Sequence, residues 1–189
     1  MKNPSPPPVT QLLALARAGD ARALDAAYAA LYEELKQAAR RQLRRSTRGF
    51  ETTALVHEAY LKLAGGERTS ANDRNHLLAL SARAMRQVLV DHARRVGASK
   101  RDAGGPTLAL REGVESSGDS TPDALGILLV DETIEAIHKV DARVARVVEL
   151  HCFGGYDVAE IARIMELPEY TVRRDWRKAR ALLLAEMCA

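Results

Sequence analysis

The stretch Asp157-Val-Ala-Glu-Ile-Ala-Arg-Ile-Met-Glu-Leu-Pro-Glu-Tyr-Thr-Val-Arg-Arg-Asp-Trp-Arg-Lys-Ala-Arg180 decides the fold. A short helix, a tight turn and a second helix follow one another at helix-turn-helix spacing. Ala162 falls where two such helices cross and only a small side chain fits. Leu167 plugs the turn, and Val172, Trp176, Ala179 and Leu183 form one apolar stripe at three-and-four spacing. The opposite face carries Tyr170, Arg173, Arg174, Arg177, Lys178 and Arg180. Such a helix suits the major groove, with arginines on guanine edges or phosphates. A solvated basic face would look similar, but a bare charge run lacks the crossing alanine and the turn plug.

Working outward, the rest of the chain is also helical in pattern. Ala and Leu dominate, aromatics are 4% of the 189 residues, and β-branched runs are nearly missing. Thr10 is expected to cap a first short helix ended by Gly19. Asp20 then opens a long one with Leu24, Tyr28, Leu31, Leu35 and Leu43 on its apolar side. A third helix is expected over about 53–64, and a fourth from Asn72 or Asp73 to about Val96, before Gly97. The residues from Ser99 to Leu125 are broken by Gly104-Gly105-Pro106, Gly113, Gly118 and Pro122 and read as a linker. Beyond it, helices are expected over about 131–139, after Asp141 to near Gly154, over 158–165 and over 169–187. The fold class is therefore all-α. A leader over 1–8 precedes a first domain over 9–98, a linker over 99–125 and a second domain over 126–189.

Charge separates the halves. Through Ala98 there are 16 Lys/Arg against 9 Asp/Glu, and from Gly126 onward 9 against 11. The first half suits a polyanion, whereas the second concentrates its cations in one helix. Cys152 and Cys188 make no ligand or redox spacing, and the five histidines are scattered. No glycine-rich phosphate loop, nucleophile elbow or zinc signature occurs, so no enzymatic activity, metal or cofactor is expected. With no apolar run long enough to span a bilayer and no signal peptide, a cytoplasmic protein without membrane contact is expected.

Two ordered motifs give a family resemblance. Glu160-Ile-Ala and Thr171-Val-Arg, preceded by Val147-Val-Glu-Leu-His-Cys-Phe-Gly-Gly-Tyr156, resemble region four of bacterial sigma factors. Leu55-Val-His-Glu-Ala-Tyr-Leu-Lys-Leu63 and Ala84-Met-Arg-Gln-Val-Leu-Val-Asp-His-Ala-Arg-Arg95 resemble region two. A chain with only these two regions is similar to the extracytoplasmic-function group of the sigma-70 family. The resemblance implies binding to bacterial core RNA polymerase and promoter DNA by a monomer. It implies polymerase contacts from Leu55, Val56, Glu58, Tyr60 and Leu61, some of which the domain core would otherwise claim. It places Arg83, Arg86, Gln87, Arg94 and Arg95 on a minus-ten face, with a base held by the loop between Glu67 and His76. It adds Thr171 to the minus-thirty-five set, and Asp91 reads as a structural partner of nearby arginines.

Two departures qualify the match. No aromatic residue lies between His76 and Met85, so that segment offers no ring for a base to stack on. Thr52-Thr53-Ala54 stands where many relatives carry acidic residues. Either Thr52 or Thr53 N-caps the helix, or phosphorylation by a Ser/Thr protein kinase restores the charge and licenses polymerase binding. The competing functional readings are a polymerase-independent, dimeric helix-turn-helix regulator and an adaptor that binds polymerase without DNA.

Overall fold

A computed structural model describes residues 8–46, 51–65, 71–102 and 124–187. The described residues form eight helices and no strand, so the all-α expectation holds. In order these are α1 (Val9–Arg17), α2 (Ala21–Ser46), α3 (Thr52–Gly65), α4 (Arg74–Asp102), α5 (Ala124–Val140), α6 (Ala142–Cys152), α7 (Val158–Ile164) and α8 (Glu169–Met187).

Helix ends follow local chemistry. The α1 helix starts one residue before the expected Thr10 cap, with Pro8 at the N-cap and no side-chain bond there. Gly19, at φ +108°, turns the chain, and Asp20 then accepts from the Arg22 amide. Asp73 rather than Asn72 opens α4, accepting from the His76 amide at 2.8 Å. Gly97 does not stop α4, which runs to Asp102. One helical glycine costs only about 1 kcal/mol, and Ala98, Lys100 and Arg101 are good helix formers. The α5 helix starts at Ala124, seven residues before the expected Asp131, because Ile127 is buried and anchors the early turns. Both ends of the expected linker are thus helical. Its middle, the 1–7 leader and residues 66–70 of the expected base-holding loop lie outside the described residues.

The first four helices bury Leu13, Leu31, Leu35, Leu55, Val56, Leu77, Leu78 and Leu89. Each such side chain contributes roughly 1.5–3 kcal/mol on burial. Tyr28 joins α2 to α3, its hydroxyl donating to the Val56 carbonyl at 3.0 Å. The last four helices bury Ile134, Val144, Val147, Leu150, Phe153, Ile161 and Val172. The two sets are not separate in this arrangement: their buried residues form one continuous cluster, with α5, α6 and α7 packed on α4.

Candidate nucleic-acid interface

The helix-turn-helix is built from its caps inward. Asp157 accepts from the Glu160 amide, and the Glu160 carboxylate accepts from the Asp157 amide, both at 2.8 Å. This reciprocal capping box starts α7. The helix ends with Glu166 in the left-handed region at φ +53° and the Leu167 amide donating back to Ala162 at 2.9 Å. That back-bond closes the turn, with Leu167 half-buried beneath it. Ala162, Val172, Ala179 and Leu183 are buried, and the half-buried Trp176 ring lies 4.1 Å from that of His151.

The outer face of α8 is open. Tyr170 is 70% exposed, and Arg173, Arg174, Arg177, Lys178 and Arg180 are all exposed. Most are lightly tethered: Arg173 to Glu169 at 3.2 Å, Arg177 to the Arg173 carbonyl, and Lys178 near Asp141 at 3.6 Å. Thr171 is the exception to the expected set. It turns inward and is buried, because its position falls on the stripe beside Val172. A residue that sequence reasoning missed is Asp175, only 2% exposed, which accepts from Arg143 at 2.7 Å and holds Arg174 at 3.3 Å. Its single acidic charge amid the arginines was the one signal in the sequence.

The second basic face, on α4, is arranged differently from expectation. Arg83, Gln87, Arg94 and Arg95 are exposed, but Arg86 is 9% exposed and turned into the second half. Its Nε donates to Asp131 Oδ1 at 2.7 Å, Nη2 to Glu135 at 2.7 Å and Nη1 to Glu149 at 3.3 Å. These charges raise the guanidinium's proton affinity against the opposing pull of burial. Arg94 also reaches Asp131, at 3.5 Å. Arg83, Arg86, Gln87 and Arg94 line a cleft of about 680 Å³ between α4 and the α5–α6 pair. The Asp91 carboxylate pairs with Lys62 of α3 at 2.8 Å, and its backbone carbonyl accepts from Arg95 Nε at 3.3 Å.

On α3, Leu55 and Val56 point into the core and present nothing to a partner, because they pack against Tyr28 and its neighbours. Tyr60 is half-buried with its hydroxyl on Asp25, and Glu58 is half-buried. Leu61, at 54% exposure, is the apolar residue of that expected set that faces outward. Thr52 and Thr53 are the first two residues of α3, not its cap: Glu51 precedes the helix and its carbonyl accepts from Leu55 at 3.0 Å. Thr53 is exposed and Thr52 half-buried.

Among the described residues no helix is long and apolar enough to cross a membrane. A family model described as ECF sigma factor matches residues 6–189. No curated protein and no solved structure matches the chain.

Proposed function

The chain belongs to the ECF sigma factor family, and on that premise we propose how it divides the work of directing core RNA polymerase to promoters. The open basic face of α8 takes the upstream promoter element as duplex, with Arg173, Arg174 and Arg177 closest to the groove. The observation that carries this reading is the capped, left-handed-turned α7–α8 unit with five exposed cations on one helix face. Arg83, Gln87, Arg94 and Arg95 on α4 form a basic track for the opened downstream element, a backbone-tracking site of the kind single strands need. Leu61, rimmed by Glu58 and Lys62, is the apolar centre of the polymerase-binding face of α3. The matched family favours this reading over a polymerase-independent regulator.

A finer element concerns Thr53. Exposed in the first turn of α3, it is open to a kinase, and a phosphate there would lie at the positive end of the helix. Its added charge would strengthen docking on a basic polymerase surface.

Co-elution with purified bacterial core polymerase tests the main reading. The wild-type chain is expected to co-elute, and Leu61→Asp is expected to drop out of the complex. Migration as a free dimer, with no polymerase bound by the wild type or by Thr53→Glu, would favour the regulator.

A further inference from the structure

The seam between the two halves is unusual in what it consumes. The carboxylates that pair with Arg86 all come from the second half: Asp131 and Glu135 of α5 and Glu149 of α6. Clustered carboxylates offer a guanidinium the same forked, anionic acceptors that phosphates do. Arg94 is drawn to the same Asp131.

A second contact lies away from this one. Arg41 of α2 donates to the Gly155 carbonyl at 2.8 Å and forks onto Glu160 at 2.9 and 3.0 Å. Gly155 sits at φ +66°, so close to α2 that a Cβ there would stand 2.2 Å from the Ala38 carbonyl oxygen. The seam therefore closes only because position 155 has no side chain.

We infer that the second half acts as an internal DNA mimic: in the closed chain its acidic α5–α6 edge holds Arg86, which would otherwise join Arg83, Gln87, Arg94 and Arg95 in the α4 track for single-stranded promoter DNA. This rests on the role proposed for α4 in promoter binding. The closure is selective. The α8 cations, Leu61 of α3 and the neighbouring Arg83, Gln87, Arg94 and Arg95 of α4 stay exposed, so duplex recognition and polymerase docking remain open while Arg86 is covered.

The polar contacts of the seam are also made to part. Breaking these ion pairs returns each charge to water, which offsets much of the attraction they give up. The Tyr156 hydroxyl, buried beside Gly155, finds no hydrogen-bond partner among the described residues and regains one in solvent. A polyanion competing for Arg86 meets a latch of ion pairs of modest net strength, beside the apolar packing of α4 on α5, α6 and α7 that opening must also part.

Two measurements test this on the full-length chain. Arginine labelling with phenylglyoxal, read by mass spectrometry, compares Arg86 with exposed Arg83 on the same helix. Arg86 is expected to react at least about tenfold more slowly, and equal rates would overturn the latch. Gly155→Asn keeps the charge and tolerates a left-handed turn, yet its side chain collides with α2. It should equalise the two labelling rates and tighten binding of a dT20 oligonucleotide on the order of tenfold. Arg41→Gln should shift both readouts the same way despite removing a positive charge. Slow Arg86 labelling with dT20 affinity unchanged in both folded variants would overturn the mimic. Failure of wild type and variants alike to bind core polymerase would instead sink the proposed sigma function, leaving the labelling result to stand by itself.

Discussion

Arg86 of α4 donates its Nε to Asp131 of α5 across the seam at 2.7 Å, joining residues from the two regions of the chain. The same aspartate faces Arg94, and Glu149 behind it is also bound by Arg146 at 3.0 Å. Arg86 thus neutralises two carboxylates, Asp131 and Glu149, that are themselves largely buried.

Arg86→Ala should therefore destabilise the closed chain by about 3 kcal/mol, the scale of removing one partner from a buried pair. Urea unfolding followed by circular dichroism measures it. A destabilisation under about 0.5 kcal/mol would show that the network contributes nothing to the native state.

Tyr156→Phe should act in the opposite direction. Burial pushes the Tyr156 phenol pKa far upward, and its hydroxyl has no hydrogen-bond partner among the described residues. Removing the oxygen should stabilise by roughly 1 kcal/mol and raise the melting temperature by about 2–4 °C. Differential scanning calorimetry checks the sign.

Asp141 caps α6, accepting from the Arg143 and Val144 amides at 3.2 Å. The Val144 amide, with the charges of Lys178 and Arg143 adding to it, holds its carboxyl below the usual range. A depressed carboxyl contributes stability that is complete above the unfolded value of about 4 and is lost as pH falls through the folded value. Asp141→Ala should cost about 1 kcal/mol at pH 7, with the difference from wild type shrinking below pH ~4. Thermal melts from pH ~3 to pH ~7 would show it.

Arg173→Ala with Arg177→Ala should weaken duplex binding by at least about tenfold without unfolding the domain, since both side chains are exposed. The slope of log affinity against log salt should fall by about 1 for each phosphate left without its arginine. Fluorescence anisotropy across a salt series reads both quantities.

Thr53→Glu should strengthen core polymerase binding severalfold if charge at the start of α3 licenses docking. Biolayer interferometry with immobilised core polymerase measures it, and an unchanged affinity would remove the switch.

How legible these features were in the sequence depended on range. The helix-turn-helix was readable because its determinants are local: a cap three residues from its partner, a small residue at the crossing and an apolar stripe. The start of α5 was hidden because Leu125 to Val130 follow a Gly- and Pro-rich stretch, and only Ile127's burial identifies them as helix. Leu55 and Val56 were ambiguous, since an apolar helix face looks the same whether it meets its own core or a partner. Thr171 was assigned outward by motif although its register beside Val172 places it inside. The Arg86 network was not legible at all. Its partners lie 45 to 63 residues away, and no local pattern couples a basic helix to a distant acidic edge.

The most direct test of the central claim is transcription by purified bacterial core polymerase on fragments of bacterial genomic DNA, with and without this chain. The account predicts transcripts from discrete start sites that appear only when the chain is added and vanish with Leu61→Asp. Start sites unchanged from core polymerase alone, with the chain bound to duplex DNA as a dimer, would contradict it.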